Sequence, residues 1–123
     1  MRLLRLAIAG LACLAAYSDA WAQAIKAVET SPADHATISG APEPFFVRFD
    51  KPVDHIRSRF VVKRGDKIVV TLQPRLKTEP QVLFAQSPSL PPGEYALHWS
   101  VKALDGADIV QGEVSFTVAR GKQ

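Results

Sequence analysis

Two short stretches of this 123-residue chain concentrate side chains able to bind a cation. In "KALDGADIVQG", residues 102–112, Asp105 and Asp108 bracket Gly106 and Ala107. In "DKPVDHIRS", residues 50–58, His55 follows Asp54 and stands four residues after Lys51. One imidazole joined by carboxylates makes an oxygen-rich metal site, with His55, Asp105 and Asp108 as candidate ligands and Asp54 as a further carboxylate. The other histidines read as structural. His98 alternates with Leu97 and Trp99, which turns it to the opposite, outward face of a strand. His35 sits in a polar turn after Asp34. Nothing resembles a Ser/His/Asp arrangement or a glycine-rich phosphate loop. The chain is therefore expected not to be an enzyme.

Bringing residues 50–58 and 102–112 together is a task for the fold. Nine prolines and seven glycines punctuate the chain. Between them lie short runs rich in Val, Ile, Phe and Thr, the pattern of strands bounded by turns. "IKAVETS" predicts a first strand ended by Pro32. "FFVRF" predicts a second, with Phe45, Val47 and Phe49 on one face. "RFVVKR" and "KIVVTL" flank Gly65-Asp66 as a hairpin. "QVLFA" is a further short strand. "LPPGEY" turns the chain into "YALHWSVKA", whose Tyr95, Leu97, Trp99, Val101 and Ala103 share a face. Val114, Phe116 and Val118 do the same in the last strand. About seven strands in a domain of this size predict an all-β, immunoglobulin-like Greek-key sandwich. In that topology the loops around His55 and Asp105 lie at the same end.

The first 24 residues stand apart. Arg2 and Arg5 precede the apolar run "LAIAGLACLAA", and Ala22 and Ala24 form an A-x-A cleavage pattern. This reads as a secretory signal peptide, with Ile25 as the mature start. The run is short of the roughly 18–20 residues a membrane-spanning helix needs. Gly10 stands where a lipid-attachment signal ending at Cys13 would favour Leu. Cleavage leaves residues 25–123 as one exported domain without cysteine, hence without disulfides, and without a transmembrane anchor. It carries 13 basic and 11 acidic residues. That balance predicts no nucleic-acid partner, although Arg57, Arg59, Lys63, Arg64 and Lys67 cluster on a strand and its turn.

Four segments in order carry a resemblance over nearly the whole mature chain. "TSPADHATI" is similar to the T-P-A-[DE]-G-A segment of CopC-type periplasmic copper-resistance domains. "VRFDKPV" resembles that family's L-x-F-S-E-P-V. "LPPGEYALHWSVKALDG" resembles its L-P-[AP]-G-x-Y-x-V-x-W-x-V-x-S-x-D-G, and "GEVSFTV" its closing G-x-F-x-F-x-V. The resemblance implies a periplasmic β-sandwich of copper homeostasis, with copper as the bound ion and an inner-membrane copper transporter as partner. It also implies where ligands belong. Asp105 matches the family's aspartate. The N-terminal histidine falls on Ala24, the glutamate of F-S-E-P-V on Lys51, and the second histidine on Ala107. The methionine-rich Cu(I) loop is replaced by "KRGDKI", and the only methionine is Met1. Lys51 is expected to fill the vacated space and to pair with Asp105 or Asp108. The same fold without metal would serve as a protein-interaction module, to which Phe46, turned away from Phe45 and Phe49, would contribute.

Overall fold

The computed structural model describes residues 25–106 and 108–120. The signal-peptide reading of residues 1–24 lies outside them. Among the described residues there are nine strands: β1 (Ala27–Ser31), β2 (Ala36–Ile38), β3 (Pro44–Phe49), β4 (Val53–Arg64), β5 (Lys67–Leu72), β6 (Arg75–Leu76), β7 (Val82–Gln86), β8 (Gly93–Ala103) and β9 (Ile109–Val118). They form a four-stranded sheet ordered β1-β3-β7-β6 and a five-stranded sheet ordered β2-β9-β8-β4-β5. Among the described residues no helix is long and apolar enough to cross a membrane.

The expected sandwich is the architecture found, with nine strands rather than about seven. The two additions are short. β2 runs parallel to the end of β9, pairing Ala36 with Phe116 and Ile38 with Val118. The first part of the chain therefore changes sheets across the cis Ser31-Pro32 bond. β6 is two residues long and pairs only with β7.

Period-2 alternation produces the core. Phe45, Val47 and Phe49 of β3 and Leu83 and Ala85 of β7 are buried from one sheet. Phe60 and Val62, then Tyr95, Leu97, Trp99 and Val101, then Val114, Phe116 and Val118 face them from the other. Phe45 meets Phe116 edge-on at 5.5 Å between ring centroids, and Tyr95 stacks on Phe116 at the same distance. Such pairs add about 0.5–1.5 kcal/mol beyond burial. Trp99 fixes the residue across from it: a Cβ on Gly112 would stand 2.6 Å from the indole ring. Gly65, with φ of +61°, turns the β4–β5 hairpin as its position in the sequence predicts.

Candidate functional site

The candidate ligands fall on the connections at one end of the sandwich. β8 ends at Ala103, and a turn follows in which the Gly106 amide donates to the Ala103 carbonyl at 3.2 Å. The Leu104 amide donates to the Pro52 carbonyl at 2.9 Å, fastening this turn to the β3–β4 connection. That connection is fastened in turn to the start of the described chain: Asp50 Oδ1 accepts from the Lys26 amide, and the Asp50 amide donates to the Lys26 carbonyl. The loops of Asp105 and His55 thus share an end, as the Greek-key reading predicts. Asp105 and Asp108 are both exposed.

His55 is placed differently from expectation. "DKPVDHIRS" is not a plain loop, because β4 already begins at Val53. Val53 pairs with Ala103 and Asp54 with Lys102, and the ladder resumes at Arg59 opposite Ser100. Residues 55–58 bulge out opposite Val101 alone. Bulges of this kind re-aim side chains at the rim of a sheet, and this one is held by its own polar groups. Asp54 Oδ1 accepts from the amides of Ile56 and Arg57 at 3.1 and 3.2 Å. The buried Ser58 hydroxyl donates to the Asp54 carbonyl at 2.7 Å and accepts from the Lys102 amide at 3.2 Å. The Gln73 side-chain amide donates to the carbonyls of His55 and Ser58 at 2.8 and 3.3 Å. Ser58 and Gln73 escaped the sequence reading because neither belongs to a motif. The one signal was the broken alternation between Val53 and Ser58.

Asp54 is committed to this bulge. Its Oδ2 accepts from Arg57 Nη1 at 3.1 Å. Burial raises the pKa of the Asp54 carboxyl, but the hydrogen bonds and charge of Arg57, with the Ile56 amide, outweigh it and hold the group below its ordinary value. The carboxylate next to His55 therefore has its lone pairs largely occupied. Among the described residues the ion pairs are His35–Asp34, Arg48 with Glu29 and Glu79, Arg57–Asp54 and His98–Glu113. The expected pairing of Lys51 with Asp105 or Asp108 does not form. Between solvated partners such a pair is worth about 0–1 kcal/mol, too little to order a lysine and a loop carboxylate.

No group of three or more His, Cys, Asp or Glu side chains is placed to hold a metal among the described residues. His55, Asp105 and Asp108 share an end of the sandwich without being gathered into a centre. Apolar groups accompany them: Ile56 is 71% exposed, Leu104 59% and Ile109 53%. Ile109 lies across from Lys102, and Lys102 across from Asp54, so one row of the outer face links these elements.

The other two histidines lie elsewhere. His98 is on the outer face of β8, as its alternation predicts, with Nε2 2.9 Å from Gln111 Oε1 and Nδ1 3.5 Å from Glu113. His35 is in the turn at the far end, with φ of +67°. Its amide donates to the Ser115 carbonyl, while Asp34 Oδ1 accepts from the Ser115 amide. A shallow cleft of about 430 Å³ opens there, lined by His35, Gly65, Glu94, Ser115 and Thr117 among others. Phe46 pairs across strands with Phe84, over which Lys77 Nζ sits at 5.2 Å, and both rings are half-buried.

The family model described as CopC domain matches residues 27–119. The structure of CopC from Methylosinus trichosporium OB3b superposes with a TM-score of 0.74 at 25% identity, covering 81% of this chain and 98% of that one. PcoC, a methionine-rich copper resistance protein from Escherichia coli, superposes with a TM-score of 0.60 at 17% identity, covering 77% and 98%. An engineered protein matches over 76% of this chain and 20% of its own length, with a TM-score of 0.59 at 22% identity. No curated protein sequence matches the chain.

Proposed function

The chain belongs to the CopC domain family, and from that premise we propose that it serves copper homeostasis in the periplasm as a binding protein rather than a catalyst. The working end is the one that carries Asp105, Asp108 and His55. The observation supporting this is the Leu104–Pro52 hydrogen bond, which joins the aspartate loop to the connection leading to His55. Copper is cargo in this reading. The donors at this end are one imidazole and exposed carboxylates, an oxygen-rich set that would hold a Cu(II) ion only weakly and exchangeably. Cu(I) finds no thioether here, since the only methionine is Met1.

A second reading is favoured by Ile56, Leu104 and Ile109, whose exposed side chains surround the same end. Exposed apolar side chains grouped at one end of a domain can form a contact surface. They would dock the domain on a membrane protein of copper transport without metal in the contact. Titration of the purified chain with Cu(II), followed by calorimetry and electron paramagnetic resonance, separates the two. Weak binding with an oxygen-rich type-2 signal, lost in the Asp105→Ala/Asp108→Ala variant and strengthened by Lys51→Glu, supports cargo. No binding leaves the docking reading. Tight binding with several nitrogen ligands overturns the weak-cargo reading.

A further inference from the structure

The five-stranded sheet has one edge that is only partly covered. β2 pairs with Phe116, Thr117 and Val118 of β9, and the Asp34–His35 turn caps Ser115. From Ile109 to Val114 no strand among the described residues pairs with β9 on that side. The direction of the main-chain groups follows from the capping bonds. The amide and carbonyl of Ser115 both point away from β8, toward Asp34 and His35. The β8–β9 register runs from Ile109 to Val118 without a shift. In an antiparallel ladder this direction alternates with period two. Ile109, Gln111 and Glu113 therefore also present their N–H and C=O groups outward.

We propose that this edge pairs with the same edge of a second copy of the chain, antiparallel about a twofold axis through Gln111. The pattern is self-complementary. Ile109 meets Glu113 of the second copy, Gln111 meets Gln111, and Glu113 meets Ile109. Each outward N–H then finds an outward C=O, and every free group of the stretch is satisfied. The faces agree, because paired residues all have their side chains on the outer face. The charges agree as well. Glu113 of one copy lies beside Ile109 of the other, whose β8 neighbour is Lys102, and the two Glu113 carboxylates are held four residues apart. The remaining outer strands are less suited. β1 is bulged between Ala27 and Glu29, β5 pairs with β4 through a shift at Val62/Lys63, and β6 is two residues long beside the buried Pro74. Bulges and short lengths are how natural sheets guard their edges, and this half of β9 has neither. A contact of one strand is small, so the dimer is a reversible one of micromolar or weaker affinity.

Sedimentation of the purified chain from micromolar to millimolar concentration, with amide exchange measured alongside, tests this. A monomer–dimer equilibrium is expected, with the amides of Ile109, Gln111 and Glu113 becoming protected as concentration rises. Gln111→Pro removes an outward N–H while leaving the β8 ladder intact, and should abolish the dimer. Gln111→Ala keeps the N–H and should retain it. Ile109→Glu, which sets a carboxylate against Glu113 of the second copy, should weaken it and serves should the proline variant fail to fold. A chain that stays monomeric with fast exchange at these three amides at every concentration overturns the proposal. So does a dimer that persists in both Gln111→Pro and Ile109→Glu.

Discussion

The two ends of the sandwich are built on different terms. At the far end, side chains close the structure. Tyr95 donates its hydroxyl proton to the Pro91 carbonyl at 2.6 Å and stacks on Phe116, and the Arg64 guanidinium lies 5.3 Å from the Tyr95 ring. β2 seals the same end against β9. At the near end main-chain bonds join the connections, the side chains of Asp54, Ser58 and Gln73 hold the bulge, and Ile56, Leu104, Ile109, Asp105 and Asp108 are left to solvent. The far end is closed by aromatic and guanidinium packing, the near end by a polar network beside exposed apolar groups. Loops on a rigid frame can present groups that the core could not accommodate.

The sharpest break of this contrast is at Phe116. Phe116→Ala should cost about 3–5 kcal/mol, read as a fall in urea midpoint and melting temperature. Gly112→Ala forces a methyl into the Trp99 ring and should cost about 1–3 kcal/mol. At the near end, Ser58→Ala leaves the Lys102 amide without its acceptor and should cost about 1–2 kcal/mol by the same denaturation. Asp54 provides a pH readout. Its carboxyl titrates below the usual carboxylate value, so its contribution to stability is in place above roughly pH 4 and is lost as pH falls through the lowered folded value. In Arg57→Ala the Asp54 titration, followed by NMR, should move up toward that of an ordinary aspartate. Smallest of all, Leu104→Ser should stay within about 0.5 kcal/mol of the parent. A large loss there would mean that the near end is packed after all.

The same contrast explains what the sequence disclosed. Runs such as Phe45-Val47-Phe49 and Tyr95-Leu97-Trp99-Val101 state their own face, because a long strand buried on one side must alternate. β2 and β6 are too short to alternate. They exist because β9 and β7 offer edges, which is a property of the assembled sheet. The shared end of Asp105 and His55 followed from topology, and the resemblance placed Asp105 on its loop. The role of Asp54 was hidden: a capping carboxylate and a ligand look alike until its neighbours Ile56 and Arg57 are seen to take its oxygens. Lys51 was misjudged for a related reason. Charges of opposite sign at one end of a sandwich need not meet when water serves both.

The parallel pairing of β2 with β9 has a mechanical side. β2 lies near the start of the described chain, and β9 lies near its end. Tension applied between the two termini would drag these neighbours in opposite directions along their length. Their hydrogen bonds would then bear load together, in shear, rather than opening one after another. Three residue pairs thus form a clasp, and the domain should resist stretching better than its modest size suggests.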